Sequence, residues 1–251
     1  MIARGYLHEG ERLEDLQCGG MTLIQDERHF RFGIDAVLLA NFCRVKPGET
    51  AVDLGCGSGV IPMLVCAKYK AKYIFGLEIQ KACADMADRS ARYNGVSDKV
   101  GIINGDIKNI RDLLPANTAH AVTANPPYIK KGAGNINESD ELAIARHEIL
   151  CDLNDVLQAA AWLLKPGGRF YMVHRPDRLA DIMCCARACG MEPKTIRYVH
   201  PYDRRPPSLI LMEFRNNGSA FLKTLAPLIL YEADGGYTGE LRRIYGISHS
   251  S

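Results

Sequence analysis

The chain has 251 residues, of which 47% are hydrophobic and 24% are charged. This composition allows a full buried core, and the length fits one large domain with extensions better than two complete domains. No segment approaches the roughly 18 consecutive apolar residues of a membrane-spanning helix, and residues 1–4 lack the apolar stretch of a signal peptide. We therefore expect a cytoplasmic protein without membrane contact. The formal net charge of +2 is too small to indicate a nucleic-acid partner by itself.

The first 48 residues predict an extension rather than a domain. Residues 1–20 are polar and irregular, whereas residues 21–32 alternate around a polar turn and predict a short hairpin. An apolar helical pattern follows over residues 34–45 and ends at residues 46–48, where Lys, Pro and Gly interrupt it. We expect this hairpin and helix to cover one side of the domain that follows.

Strands and helices alternate regularly over residues 49–215. The predicted strands are residues 50–54, 73–77, 100–104, 119–124, 169–174, 195–199 and 208–214. The predicted helices are residues 60–69, 81–94, 152–164 and 177–189. This order implies right-handed crossovers and a mostly parallel, doubly wound α/β sheet of seven strands, which is a Rossmann-like fold. Only the loop 200–207 joins the last two strands, so we expect one of them to be an antiparallel edge strand.

Residues 216–251 form a C-terminal tail with one apolar patch, which predicts a helix that begins or kinks near Pro227. The nine cysteines of the chain have neither the spacing of a zinc site nor that of a disulfide framework. They predict buried, reduced thiols and no metal.

A glycine-rich turn follows the first strand of the predicted domain. Gly55, Gly57 and Gly59 let the backbone approach a ligand closely, and the next helix offers free N–H groups at its start. A dinucleotide-binding turn would need a third glycine at position 60, which is Val60. The G-x-G-x-G spacing instead resembles the turn that cradles the methionine end of S-adenosylmethionine, which is the predicted cofactor.

Three acidic residues follow consecutive predicted strands. Asp53 lies at the end of the first strand, Glu78 follows the second and can accept from ribose hydroxyls, and Asp106 follows the third and can accept from an adenine amino group. Ligands bind at the carboxyl ends of strands in open α/β sheets, so the common spacing favours a cofactor site. The simpler alternative is that Asp53 caps a helix and that the other two are ordinary loop acids.

Asn125-Pro126-Pro127-Tyr128 follows the fourth strand of the domain. The Asn125 side-chain oxygen and the Pro126 carbonyl can accept hydrogen bonds from a planar NH2 group, and so favour pyramidal nitrogen facing a methyl donor. The two prolines remove N–H donors and stiffen the turn, and Tyr128 offers a face on which a base can stack. We predict that Asn125, Pro126 and Tyr128 catalyse methyl transfer to an amino group. A strand-end turn without a catalytic role is the alternative.

Residues 165–215 carry ten Lys and Arg against five acidic residues, which indicates either an ordinary solvated surface or a face that attracts phosphates. Arg204 and Arg205, together with Lys130 and Lys131, are the predicted RNA contacts. Lys130 and Lys131 begin a polar loop over residues 130–143, which either orders over a flipped base or only connects two elements. His147 is interpreted as a packing residue.

Four motifs together resemble the bacterial tRNA1(Val) adenine-N6-methyltransferase family over roughly residues 16–215. They are residues 30–39 (FRFGIDAVLL), 53–59 (DLGCGSG), 125–128 (NPPY) and 145–148 (ARHE). The resemblance implies a class I, S-adenosylmethionine-dependent fold, tRNA as partner, and a target adenine that adjoins the anticodon. It also implies that Phe32, Gly33 and Asp35 belong to a cover over the cofactor, with Asp35 as a cofactor contact. The tail after Asn216 matches no motif.

Three other functions use the same residues. A protein glutamine N5-methyltransferase would apply the same turn to an amide, but such enzymes usually carry a separate helical N-terminal domain. An N6-adenine methyltransferase of another RNA or of DNA would have the same amino-group pocket. A catalytically idle, RNA-binding module would be expected to have lost Asn125, Gly55 or Gly57, and all three are intact. The sequence does not determine the oligomeric state, and a monomer is favoured.

Overall fold

A computed structural model describes residues 5–26, 33–126 and 153–247. An antiparallel hairpin comes first in the chain and consists of β1 (Glu11–Asp15) and β2 (Thr22–Asp26). The strands of the central sheet are β3 (Thr50–Leu54), β4 (Tyr73–Glu78), β5 (Val100–Asn104), β6 (Ala119–Ala124), β7 (Leu164–His174), β8 (Met191–His200), β9 (Leu209–Asn216), β10 (Lys223–Thr224) and β11 (Leu228–Ile229). The helices are α1 (Ile34–Phe42), α2 (Val60–Lys68), α3 (Lys81–Tyr93), α4 (Ile110–Leu113), α5 (Leu153–Leu163), α6 (Leu179–Ala188) and α7 (Gly239–Tyr245).

The central sheet has the order β10-β8-β9-β7-β6-β3-β4-β5, with β11 also paired to β8. Its pairings are parallel except for those of β9, which runs antiparallel to both β7 and β8. The predicted α/β fold class is therefore confirmed. The seven predicted strands form the body of the sheet, and the two short strands β10 and β11 extend it.

The antiparallel strand was predicted at an edge of the sheet, and this prediction was wrong. β9 lies between β7 and β8, where Ile210, Met212 and Phe214 are fully buried. A strand that buries side chains along nearly its whole length needs partners on both sides and cover on both faces, which an edge cannot give.

Strand β7 begins earlier than the sequence predicted. Residues 166–168, predicted to stop a helix, lie within β7 because Leu164 already pairs with Ala119. The register then shifts so that Ala121 pairs with Arg169, and the extra residues form an irregularity in the ladder.

The tail does not contain the helix predicted near Pro227. Pro227 lies between β10 and β11, which both pair in parallel with β8. Leu228 and Leu230 are buried and are two residues apart, which is the period of a strand. The helix of the tail is α7, which begins after Thr238; the Thr238 Oγ1 accepts a hydrogen bond from the Leu241 N–H at 3.2 Å.

A hairpin forms near the N-terminus, but β2, predicted as its first strand, is its second. β2 pairs with Glu11–Asp15, within the residues predicted to be irregular, and residues 27–32 lie outside the described residues. The sequence of β1 is almost wholly charged and has no apolar alternation, so pattern alone could not find it. Leu23 and Ile24 of β2 are fully buried and attach the hairpin to the rest of the molecule.

Two apolar layers enclose the sheet. One is formed with α1, α2 and α7, and the other with α4, α5 and α6. The cysteines are only partly as predicted, because Cys43, Cys56 and Cys83 are buried whereas Cys184 is exposed. No helix in the described part of the chain is long and apolar enough to span a bilayer.

Candidate active site

The register of three neighbouring strands brings the predicted motifs to one edge of the sheet. β3 lies between β6 and β4, with Leu54 opposite both Ala124 and Leu77. The next residue along each strand is therefore Gly55, Asn125 or Glu78. These three residues follow one another across the carboxyl edge, where open α/β sheets bind ligands.

The glycine turn has a backbone that favours glycine at each of its three glycine positions. Gly55, Gly57 and Gly59 have φ angles of 73°, 55° and 93°. Among the described residues, a Cβ at Gly55 or Gly57 would meet no atom within 4 Å, whereas one at Gly59 would lie 3.1 Å from the Cβ of Ala87 in α3. The first two glycines thus leave the backbone open on one side, and the third allows α2 and α3 to pack closely.

Glu78 is tied to this turn. Its side chain is buried, its Oε2 accepts a hydrogen bond from the Gly57 N–H at 2.8 Å, and its Oε1 accepts from the Gln80 N–H at 2.8 Å. A carboxylate has about four lone-pair positions, so each oxygen keeps capacity for one further donor. Glu78 can therefore orient the turn and still accept hydrogen bonds from a ligand.

Asp53 is a buried carboxyl group with an unused acceptor. It is 1% exposed, and its Oδ1 accepts from the Thr123 hydroxyl at 2.6 Å. Its Oδ2 has no hydrogen-bond partner among the described residues. Burial raises the pKa of Asp53 to about 7; the Thr123 hydrogen bond opposes this rise, and the nearby Glu78 carboxylate adds to it.

The alternative of Asp53 as a helix cap is wrong. The N-cap of α2 is Gly59, and no side chain caps that helix. Asp53 therefore does not cap α2, and a ligand group that donates a hydrogen bond or carries positive charge would relieve the isolation of its Oδ2.

Asp106 and Asp35 lie further out and are half-buried. The Asp106 Oδ1 accepts from the Lys108 N–H at 2.9 Å, which occupies one of its oxygens locally, and an adenine contact remains a prediction. Asp35 lies in the first turn of α1, and its Oδ1 is so close to Gly33 that a Cβ at that position would overlap it. Asp35 as a cofactor contact also remains a prediction.

The substrate side is described only in part. Asn125 and Pro126 follow β6 and are half-buried. Pro127, Tyr128, Lys130, Lys131, the loop 130–143 and His147 lie outside the described residues. Arg204 and Arg205 are exposed on the loop after β8, at the same edge of the sheet. β8 is three strands from β6, a separation of about 14 Å at the usual strand spacing.

One contact that reaches the glycine turn was not predicted from the sequence. Gln25 of β2 is 3% exposed, and its Nε2 donates to the Ser58 hydroxyl at 2.6 Å. Its Oε1 has no hydrogen-bond partner within the described part of the chain. The signal that could have found it is a polar residue directly after the apolar pair Leu23-Ile24.

A buried ion pair fixes the same hairpin to α3. Both Arg89 terminal nitrogens donate to the Glu11 carboxylate at 2.6 Å, and Arg89 also bonds Asp85 and the Tyr6 carbonyl. The Arg89 hydrogen bond, which outweighs the opposing effect of burial, lowers the pKa of Glu11. Glu11 lies opposite Asp26 in the hairpin, so Arg89 fixes the same end of the hairpin from which Gln25 reaches the glycine turn.

The strand order and the glycine turn at the carboxyl edge define an α/β protein with the architecture of class I methyltransferases. The chain belongs to the methyltransferase small domain family, whose model matches residues 31–181. This confirms the family resemblance predicted from the motifs.

Several relatives of this chain share one name. A tRNA1(Val) (adenine(37)-N6)-methyltransferase of Porphyromonas gingivalis is 27% identical over 223 residues, which is 85% of this chain and 86% of the relative. A protein of the same name from Dickeya chrysanthemi is 24% identical and covers 91% of this chain and 93% of its own length.

Solved structures agree in fold. A predicted O-methyltransferase of Agrobacterium tumefaciens superposes with a TM-score of 0.69 at 23% identity, covering 84% of this chain and 95% of the other. A geranyl diphosphate methyltransferase in complex with S-adenosylmethionine gives a TM-score of 0.55 at 17% identity, covering 73% and 84%. At these identities the likeness concerns the fold alone.

Proposed function

We propose that this protein transfers the methyl group of S-adenosylmethionine to the exocyclic N6 amino group of an adenine in tRNA. The observation that carries the proposal is the register that places Gly55 beside Asn125, because the glycine turn and the amino-group acceptor then lie on neighbouring strands about 4.8 Å apart. A displacement reaction requires reactants that are close and fixed. A methyl donor bound over one strand and an amino group bound over the next meet this requirement.

The residues at this edge fit S-adenosylmethionine. When bound, the cofactor supplies an electrophilic methyl group on a sulfonium. Glu78 has lone pairs left for two ribose hydroxyls, and Asp53 has an unused oxygen for a cationic or donor group. The open side of Gly55 and Gly57 leaves room for the ligand. Asp106 at the adenine end and Asp35 in the cover over the cofactor complete the proposed set.

Asn125 and Pro126 act on the target amino group. The lone pair of an adenine N6 is delocalised into the ring, which makes it a weak nucleophile. The Asn125 side-chain oxygen and the Pro126 carbonyl accept hydrogen bonds from its two N–H groups and stabilise the positive charge that develops on the nitrogen. Pro126 has a fixed φ and no N–H of its own, so its carbonyl keeps its direction. Tyr128 stacks against the base, and the product loses its proton to water.

The choice of substrate rests on the relatives, whose names specify adenine 37 of tRNA1(Val). We propose the same class of target, an adenine adjoining the anticodon, with Lys130, Lys131, Arg204 and Arg205 contacting the phosphates. The enzyme then works in the cytoplasm together with its tRNA, as a monomer.

The test is transfer of tritiated methyl from S-adenosylmethionine to separate tRNA, rRNA, DNA and protein fractions, followed by nucleoside analysis. We expect label in tRNA as N6-methyladenosine. A tRNA1(Val) transcript with guanine in place of the adenine next to the anticodon is the control and should take up no label. Label in the protein fraction as methylglutamine, or in DNA instead of tRNA, would overturn the proposal.

A further inference from the structure

Four tyrosine rings form a continuous row in the C-terminal part of the chain. Tyr202, Tyr231, Tyr237 and Tyr245 follow one another with ring centroids 5.6, 5.8 and 5.7 Å apart. We call these four residues the tyrosine ladder. It belongs to the loop after β8 and to the tail, and neither the glycine turn nor the Asn125 turn uses it.

The tail holds the ladder against the carboxyl end of β8. The Tyr231 N–H donates to the Pro201 carbonyl at 3.0 Å, which places its ring beside the loop that carries Tyr202. A backbone bridge joins Tyr231 to Tyr237, and Tyr245 on α7 stacks on Tyr237 at an interplanar angle of 14°. The row therefore starts at the same edge of the sheet as Asn125.

The four tyrosines of the ladder differ in exposure. Tyr231 and Tyr245 are half-buried, consistent with packing, whereas Tyr202 and Tyr237 are 41% and 37% exposed. Hydrophobic packing explains the first pair. It does not explain two large aromatic faces kept partly in water, which are the groups on which unpaired bases stack.

Arginines flank the ladder and have no ion pairs in the part of the chain that the structure describes. They are Arg204, Arg205, Arg242 and Arg243. Elsewhere on the surface Arg187 pairs with Glu192 at 2.6 Å and Arg178 with Asp181 at 2.9 Å. Uncompensated guanidinium groups next to exposed aromatic rings are suited to a phosphate backbone whose bases stack.

Acidic residues also occur on these segments, at Asp203, Glu232 and Asp234. Arg197 pairs with a fourth acid, Glu240, at 2.8 Å. The surface is therefore not uniformly basic. Stacking must supply most of its affinity, and charge the smaller part.

We propose that Tyr202 and Tyr237 form a stacking platform for unpaired bases of the RNA strand that carries the target adenine. The proposal rests on the proposed function for the identity of that strand. The end of β8 is about 14 Å from the end of β6, a distance that a few nucleotides can span. An anticodon loop, with unpaired bases on both sides of the target, has the required form.

The experiment compares Tyr202→Ala with Tyr237→Ala, singly and together, with the ring-preserving changes Tyr202→Phe and Tyr237→Phe. Phe221→Ala is the matched control, because Phe221 is an aromatic residue that is 88% exposed and outside the ladder. The probe is a fluorescently labelled single-stranded oligoribonucleotide with the anticodon-loop sequence, and a duplex of the same length is titrated in parallel. Anisotropy gives the Kd values, and calorimetry gives S-adenosylmethionine affinity.

We expect about a tenfold weaker Kd for the single strand for each alanine, little change for phenylalanine or Phe221→Ala, and no change in cofactor affinity. With tRNA as substrate, KM should rise and kcat should stay near the wild-type value. Where an alanine variant melts early, Tyr202→Leu with Tyr237→Leu keeps apolar bulk without a π face and should show the same loss.

Wild-type Kd values in both the alanine and the leucine variants would overturn the platform, as would an equal loss for duplex and single strand. Failure of the proposed function would give a different experimental result. If tRNA takes up no methyl group while the alanine variants still lose single-strand binding, the platform stands and the substrate assignment falls.

Discussion

Carboxyl groups at the two ends of the central strands are in opposite electrostatic environments. At the amino edge, Glu49 is paired with Arg169 and accepts the Lys46 N–H at 2.7 Å. Burial alone would raise the pKa of Glu49, but these donors outweigh it and the pKa lies below its ordinary value. At the carboxyl edge, Asp53 has no cationic partner among the described residues, and burial raises its pKa to about 7.

The same contrast holds for hydrogen bonds. At the amino edge, His120 of β6 accepts the Thr50 N–H at Nδ1, 3.1 Å away, and its Nε2 lies 3.1 Å from the Lys165 Nζ. At the carboxyl edge, the Asp53 Oδ2 and the Gln25 Oε1 are buried without partners among the described residues. One edge is satisfied within the protein, and the other keeps buried acceptors available to a ligand. The difference separates scaffold from site on the same strands.

The largest expected effect at the carboxyl edge concerns Asn125. Asn125→Ala removes an acceptor that acts mainly as the target nitrogen becomes pyramidal, so turnover should fall about 10²-fold or more while folding and cofactor affinity stay nearly intact. Single-turnover methylation of tRNA measures this. Asn125→Asp keeps an acceptor and should retain partial activity, and near wild-type rates for Asn125→Ala would reject the role.

Asp53 should give stability an unusual pH dependence. Its folded-state pKa of about 7 exceeds its ordinary value. The folding stability that Asp53 contributes is therefore fully present below about pH 4 and is lost as the pH rises through 7. Asp53→Asn removes this loss. The stability of the variant relative to wild type should therefore increase between about pH 4 and pH 7, by an amount on the order of 2–4 kcal/mol.

Urea unfolding at several pH values measures this difference, since other titrating groups cancel between variant and wild type. The matched control is Glu49→Gln, whose relative stability should change in the opposite direction. Glu49 has a lowered folded-state pKa, so the stability it contributes is present at neutral pH and lost as the pH falls below about 4. A flat difference for Asp53→Asn would mean that the carboxyl is not isolated.

The Gln25 contact predicts coupling between the hairpin and the turn. Gln25→Ala removes the hydrogen bond to Ser58 and should weaken S-adenosylmethionine binding by roughly 1 kcal/mol. Ser58→Ala should cost a similar amount, and the double variant should cost less than the sum of the two. Additive losses in calorimetry would show that the two side chains act independently.

The smallest expected effect concerns Arg204 and Arg205. Changing both to alanine should reduce the slope of log affinity for tRNA against log salt concentration by about 1–2. Arg187→Ala is the control, because Arg187 is also exposed but is paired with Glu192. Gel-shift titrations at three salt concentrations separate the two variants. Equal slopes for both would leave the loop without a phosphate contact.

Local patterns predicted most of the sheet. β3, β5 and β6 have the predicted bounds, because apolar runs between clear turn residues define them. The position of β9 inside the sheet depends on pairing with strands far away in sequence, and local patterns carry no such information. The charged strand β1 forms because β2 and Arg89 are present, and the tail strands form because β8 offers an unpaired edge.

The candidate site, like the sheet, was predicted where local sequence patterns were sufficient. Glu78, Gly55, Gly57 and Asn125 could be placed at one edge, because parallel strands bring their carboxyl ends together. Thr123 could not be found, since it meets Asp53 only through the pairing of strands far apart in sequence. Gln25 left only a weak signal, a polar residue directly after Leu23-Ile24.

A single pair of variants tests the contrast between the two edges most directly. The measurement is the calorimetric affinity for S-adenosylmethionine, together with the melting temperature, in Glu78→Ala and Glu49→Ala. We predict that Glu78→Ala loses roughly 1–3 kcal/mol of cofactor affinity. Glu49→Ala should bind the cofactor normally but melt earlier, because Arg169 is left without its partner. Unchanged affinity in Glu78→Ala, or an equal loss in Glu49→Ala, would contradict the assignment of the carboxyl edge as the site.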